Sequence, residues 1–195
     1  MSALSSCRRC YPQTRRLANL GFAEPYLLCD KTVMTIRDPR PDIMAMLLDE
    51  AAAAAAAGEV PVAAAVTDAE SAVIALAQNR MRRDGNALHH AEMLVLADAL
   101  ALRGSERLED CDLWVTLEPC TMCAGAIAHA RIRRLYFAAR DEKAGAVESG
   151  VRFFDSPSCH HHPEIYGGLS EAAAAAQRPS SSAVCSSAIR KADDQ

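Results

Sequence analysis

The chain is 195 residues long, 50% hydrophobic and 24% charged, with a formal net charge of −4 and a pI near 5.9. That profile suits one globular domain of ordinary size with tails, and it excludes a protein held to polyanions by net charge alone. Its eight cysteines show no even framework and no secretory leader precedes them, so they read as reduced thiols of a cytoplasmic protein; no apolar run reaches the roughly 18 residues that span a membrane.

Residues 1–40 predict a poorly structured N-terminal extension. Four arginines (Arg8, Arg9, Arg15 and Arg16) precede the first acidic residue, Glu24, without any hydrophobic period. An Arg-rich, acid-poor start is the composition of a transit peptide. It is equally that of a dispensable tail, or of a stretch upstream of a true start at Met34 or Met44. Cys7 and Cys10 form a lone CxxC without a second ligand pair, which argues against a second zinc site.

From residue 41 to 177 the pattern is that of one domain. Ile43, Met46 and Leu47 begin a helix, with Asp42 as its expected N-cap and Gly58 just past its end. Val60–Thr67 and Ala72–Gln78 read as strands joined by a hairpin at Asp68–Ser71. His90–Arg103 carries a helical period through Met93, Leu94, Leu96, Ala97 and Leu100 and is closed by Gly104. Cys111–Leu117 reads as a buried strand, Cys120–His129 as a helix of small residues, Ile132–Ala139 as a further strand, and Ile165–Gly168 as a short last one. A helix starting at Ser170 is broken by Arg178-Pro179, and 178–195 is polar and aperiodic, the composition of a disordered tail. This order predicts a three-layer α/β/α fold around a central mixed sheet.

Two short segments carry the chemistry: His90-Ala91-Glu92 and Pro119-Cys120-Thr121-Met122-Cys123. One imidazole and two thiolates leave a fourth zinc position open, as in catalytic sites, whereas structural zinc is closed by four protein ligands. Cys120 and Cys123, three apart in a helix's first turn, share a face, and the positive end of the helix favours their thiolates. Pro119, with fixed φ and no N–H, suits a helix start. His90 and Glu92, two apart, diverge around the next helix's axis, so one grips a metal while the other faces what lies beside it. Zinc so held presents hydroxide near neutral pH, and Glu92 is placed to move its proton to a leaving amine. Attack on an amidine-type ring carbon with loss of ammonia fits these parts. Alone, the CxxC could be structural or redox-active, and His90 a core or capping histidine. His89 lacks the two-residue step to Glu92 and reads as a pocket or surface residue, and the His160–His162 triplet as a solvated loop. Arginine clusters at Arg80, Arg82 and Arg83, at Arg131, Arg133 and Arg134, and at Arg140 with Lys143, suit either phosphates or plain solvent.

The joined pattern H-x-E…P-C-x-x-C resembles the cytidine deaminase-like superfamily of zinc deaminases, and within it the tRNA adenosine deaminase branch. The resemblance spans roughly residues 43–177. It rests on Gly58-Glu59-Val60-Pro61-Val62, Asn79-Arg80, the two metal segments within Thr116–Ile127 and around His90, His129-Ala130-Arg131-Ile132, and Ala139-Arg140-Asp141-Glu142-Lys143. It implies that His90, Cys120 and Cys123 bind one Zn2+ per subunit and that Glu92 shuttles protons. It further implies that Asn79 hydrogen-bonds a flipped base and that Asp141 contacts the nucleotide backbone. The implied assembly is a homodimer converting the wobble adenosine of a tRNA anticodon loop to inosine, an unpaired loop letting the base splay out at modest cost. This chain departs from the pattern at Asn86-Ala87-Leu88-His89, where the branch reads Asp-Pro-Thr-Ala, at Ala63 in place of a glycine, and in a final helix that stops at Gln177-Arg178-Pro179. The rival readings are a deaminase of a free nucleobase, guanine or cytosine, and a non-catalytic zinc-bearing subunit that binds RNA. Glu92 speaks against the second, because an inactive copy has no chemical need of that carboxylate.

Overall fold

The computed structural model describes residues 40–169. The N-terminal extension, the helix expected from Ser170 and the tail over 178–195 lie outside the described residues. In chain order the elements are α1 (Arg40–Ala56), β1 (Ala63–Thr67), β2 (Val73–Gln78), α2 (Met81–Asp84), α3 (Ala91–Arg103), β3 (Asp112–Leu117), α4 (Thr121–Ala130), β4 (Arg134–Ala139), a 3-10 turn (Phe153–Asp155) and β5 (Glu164–Tyr166). The five strands form one sheet in the order β2-β1-β3-β4-β5. β1 runs antiparallel to β2 and β3, while β3, β4 and β5 are parallel, so the sheet is mixed.

Strand side chains alternate between the two faces, and each face has its own helical cover. Ile43, Met44, Leu47 and Ala51 of α1 pack on Ala63, Ala65, Trp114, Tyr136 and Ala138. On the other face Val95, Leu96 and Ala99 of α3 and Ile127 of α4 pack on Val66, Leu113, Val115, Leu135 and Phe137. The result is the expected α/β/α sandwich. On the α1 face, cross-strand register stacks Trp114 on Tyr136 and Tyr136 on Tyr166, with ring centroids 4.0 and 4.8 Å apart. The indole N–H of Trp114, which would be costly to bury unpaired, donates to Thr67 Oγ1 at 3.1 Å. Among the described residues no helix is long and apolar enough to cross a membrane.

The structure moves several expected boundaries, each for a local reason. The first strand starts at Ala63, not Val60: Pro61 has no N–H for a ladder, and Val62 N–H turns back onto the Val60 carbonyl at 2.8 Å. α1 already runs at Arg40, so Asp42 lies within the helix and is not its N-cap. Pro119 precedes the N-cap of α4, which is Cys120 itself. α4 ends on Arg131 in the left-handed region (φ 58°), and β4 begins three residues later at Arg134. The hairpin falls where expected, with Asp68 Oδ1 accepting from the N–H groups of Glu70 and Ala72 at 3.1 and 2.8 Å.

Phe137 is the largest fully buried side chain, and its ring lies so close to Gly167 that a Cβ there would come within 2.4 Å. Removing that ring leaves a cavity the sheet cannot refill. Phe137→Ala is therefore expected to cost about 3–5 kcal/mol of unfolding free energy in urea titrations. A loss of under about 1 kcal/mol would contradict this account of the core.

Candidate active site

Two helix starts meet at the carboxyl ends of the parallel strands β3 and β4, the end of an α/β sheet where ligands bind. His90 is the N-cap of α3 and Cys120 the N-cap of α4, both in extended backbone, and neither side chain is spent on capping its own helix. His90 Nδ1 lies 3.8 Å from Cys120 Sγ and 3.6 Å from Cys123 Sγ, and the two sulfurs are 3.6 Å apart. Tetrahedral zinc with bonds of about 2.3 Å to sulfur and about 2.0–2.1 Å to nitrogen needs edges of about 3.8 Å (S···S) and about 3.6 Å (N···S). The three donor atoms fit such an ion, and no fourth protein donor joins them among the described residues.

The three donors share their protons unevenly. Cys120 accepts from Cys123 and from His90, which holds its thiol down to about 3. Cys123, the donor and deeply buried, is pushed up. His90 is raised by its hydrogen bond to Cys120, against its partial burial. Glu92, one residue into α3 and 4% exposed, is raised chiefly by burial and reaches the Cys123 sulfur. It stands beside the ligand cluster without belonging to it. A buried carboxyl with an elevated pKa is equipped to carry protons at neutral pH.

The other expected residues fall into two groups. Asn79, 3% exposed, directly follows β2; the neighbouring Arg80 N–H donates to the His89 carbonyl at 3.0 Å, which pins this strand end beside His90. Asp141 follows β4 in the loop that crosses Cys120; its Oδ1 accepts from the N–H groups of Lys143 and Ala144 at 3.1 and 3.2 Å. His89 is outside the metal cluster and bonds Asp84 Oδ2 at 2.8 Å; with Arg83 it holds that carboxyl below the ordinary range. His161 bonds the Ile132 carbonyl at 2.6 Å, and Arg131 donates to the His160 carbonyl at 2.6 Å. Arg133 and Arg134 pair with Asp112 and Glu164 at the amino end of β4, the end away from Cys120.

Sequence reasoning assigned nothing to Glu118, yet this residue builds the site's rim. Its Oε1 accepts from the backbone N–H groups of Val147, Glu148 and Ser149 at 3.0, 2.8 and 2.8 Å. Its Oε2 accepts from Asp141 N–H at 3.0 Å and Ser149 Oγ at 2.8 Å. The gathered loop lies on the metal helix: Ala146 N–H donates to the Pro119 carbonyl at 2.9 Å, and Gly145 bridges to Cys120. At Gly145 a Cβ would meet the Glu118 carboxyl carbon at 2.5 Å. The available signal was an acid standing between a buried strand and a metal-binding turn, where a carboxylate needs several donors to persist.

An open zinc site with a buried carboxyl beside it, on the carboxyl edge of a mixed sheet, defines a zinc hydrolase. The profile of the cytidine and deoxycytidylate deaminase zinc-binding region matches residues 38–139, and the chain belongs to that family. It is 51% identical to the tRNA-specific adenosine deaminase of Agrobacterium fabrum over 136 residues, 70% of this chain and 89% of that relative. A solved structure from a study of A-to-I editing by tRNA:A34 deaminases at the wobble position of transfer RNA is 50% identical. It superposes with a TM-score of 0.69 over 71% of this chain and 99% of its own. The guanine deaminase from Nitrosomonas europaea is more distant, at 28% identity and a TM-score of 0.60, covering 69% of this chain and 79% of its own.

Burial alone would push the Glu118 carboxyl up, but its hydrogen bonds from Ser149, Asp141 and Glu148 more than offset this and hold it below the ordinary range. A carboxyl depressed in the folded state stabilises the fold above its unfolded pKa, and that contribution is lost as pH falls through the folded one. Glu118→Ala is thus expected to lie well below the parent in urea midpoint at pH 7, the gap narrowing steadily as pH falls below the ordinary carboxylate range. A gap independent of pH would contradict the assignment.

Proposed function

We propose that this chain is a zinc-dependent hydrolase that deaminates adenosine to inosine at the wobble position of tRNA. The likeness to the Agrobacterium fabrum enzyme, 51% identical and covering 89% of that relative, carries the substrate assignment. His90, Cys120 and Cys123 hold the zinc, which when bound supplies a Lewis acid that brings the pKa of a water near 7. Glu92 takes the proton from the attacking water and delivers it to the departing amine, so that water adds at the amino-bearing ring carbon, the carbon–nitrogen bond breaks and ammonia leaves. Its burial keeps water from competing for that proton and keeps the carboxyl close to both transfers.

Asn79 hydrogen-bonds the flipped base. Asp141, with Oδ1 engaged in its turn, offers Oδ2 to the nucleotide backbone. The arginines around α2 (Arg80, Arg82 and Arg83) stand on the same edge and suit the flanking phosphates. The partner is the unpaired anticodon loop, the working form a homodimer, and the compartment the cytoplasm.

A second reading has its own support: the Nitrosomonas europaea guanine deaminase shares the fold at 28% identity, so the same zinc chemistry on a free base is its rival. Inosine formation on an anticodon stem-loop, measured beside ammonia release from guanine, cytosine and adenine, separates the two. Conversion of the stem-loop with no turnover of free bases is expected; turnover of bases alone would sink the tRNA assignment. Glu92→Ala is expected to keep one zinc per chain by metal analysis while turnover falls by about 10²–10⁴-fold or more. Full activity in that variant would remove Glu92 from the mechanism.

A further inference from the structure

Four acidic side chains are buried among the described residues: Glu59, Glu92, Asp112 and Glu118. Glu92 belongs to the chemistry, Asp112 pairs with Arg133, and Glu118 gathers the rim. Glu59 has no part in the reading so far. It follows Gly58, a glycine at φ 83°, and its own N–H donates back to the Ala54 carbonyl of α1 at 2.9 Å.

Both carboxylate oxygens of Glu59 are engaged. Oε1 accepts from Arg83 N–H at 2.6 Å, and Oε2 from Arg82 N–H at 3.3 Å. These are first-turn donors of α2, whose N-cap residue Arg80 supplies no side-chain cap, so Glu59 caps the helix from a distant point in the chain. The third donor is of another kind: Asn79 Nδ2, at 3.3 Å from Oε2. An ionised carboxylate only accepts, so the amide must face it with nitrogen; the flipped amide would set oxygen against oxygen. One N–H of Asn79 is thereby committed, and its Oδ1 and second N–H are left side by side for other partners. An acceptor beside a donor is the edge by which an Asn amide reads adenine.

We propose that Glu59 is a positioning residue that fixes the orientation of the Asn79 carboxamide, so that this acceptor–donor edge is set before the base arrives. The inference rests on the reading of Asn79 as the base contact. The alternative is a side chain free to flip, which would present the wrong polarity to the base half of the time and lower the productive fraction of encounters. The short bond to Arg83 N–H makes the consequence of a neutral isostere definite. In Glu59→Gln the amide oxygen stays on Arg83 and the amide NH2 takes the place of Oε2, so the weaker bond from Arg82 N–H is lost and the Asn79 carboxamide must reverse to accept from the new donor.

The test uses the full-length, zinc-loaded chain and an anticodon stem-loop with adenosine at the wobble position. Glu59→Gln is expected to lower kcat/KM at least about tenfold with zinc content unchanged, but less than about twofold in an Asn79→Ala background, since a residue acting through another has nothing left to act on. Equal losses in both backgrounds would make Glu59 a helix cap alone and overturn the proposal while leaving Asn79 its role. Undiminished turnover by Asn79→Ala would instead remove the Asn79 reading, and the proposal with it. Thermal melting checks the polarity without any activity. Asn79→Asp sets two carboxylates face to face and lowers the Tm; adding Glu59→Gln restores a donor and raises it again, although Glu59→Gln alone lowers the Tm of the parent. A Tm lowered by Glu59→Gln in every background would overturn the proposal.

Discussion

Three metal-donor atoms have to converge within 3.8 Å from two helices that are thirty residues apart in the chain, and the fold is built around that convergence. Sheet topology does most of it: β3 leads into α4, and β1 with β2 brings the start of α3 to the same edge. The N-cap position does the rest. A residue there has left the sheet but not yet entered the helix, so its side chain is free to point along the edge and need not lie on the helix barrel. His90 and Cys120 both use that freedom, and each gives up the stabilisation that a capping side chain would bring. The positive ends of two helices then face the same point, where Cys120 at the helix start is held as thiolate and the deeper Cys123 keeps its proton as the donor to it.

Buried carboxyls around this point have different work, and their surroundings separate them. Glu118 sits among backbone donors and is held ionised; Glu92 sits in the core with few, and is pushed toward its protonated form. The same functional group is held charged as a static anchor in one environment and driven toward its neutral form in the other. Glu59 resembles Glu118: each accepts from backbone N–H groups and from one side chain, Asn79 for Glu59 and Ser149 for Glu118. Buried charge in this domain is therefore informative: where backbone N–H groups surround it, at Glu59 and Glu118, a helix start or a loop is being held in place.

The elements with an internal rhythm were legible in the sequence. Leu94–Leu100 announces α3, the β-branched and apolar runs announce β1 and β2, and Asp68 announces their turn through its own side chain. The metal ligands were legible because their spacing is local. What escaped depends on partners distant in sequence. α2 is a single turn without a buried residue, so it has no hydrophobic period; it exists because a carboxylate more than twenty residues upstream caps it. The loop over 141–149 is aperiodic as well, and its shape comes from Glu118 across nearly thirty residues. Strand limits shifted at Val60 and Ile132 because Pro61, just after the first, and left-handed Arg131, just before the second, spend those residues on turns.

This division bears on how substrate choice is encoded. Proteins with this fold include both a tRNA-specific adenosine deaminase and a guanine deaminase, so the fold is neutral toward the target. Three irregular segments surround the metal cluster: the strand end at Asn79, the turn through α2 to His89, and the loop from Asp141. None of the three is regular enough to hold its shape by propensity. Each is held by a carboxylate instead: Glu59 for the first, Asp84 binding both Arg80 and His89 for the second, Glu118 for the third. The departure at Asn86–His89 falls inside the second of these, where Leu88 is 58% exposed and His89 has taken Asp84 as partner. A change there reaches an exposed turn and leaves the positions of His90, Cys120 and Cys123 to the sheet and its two helix starts.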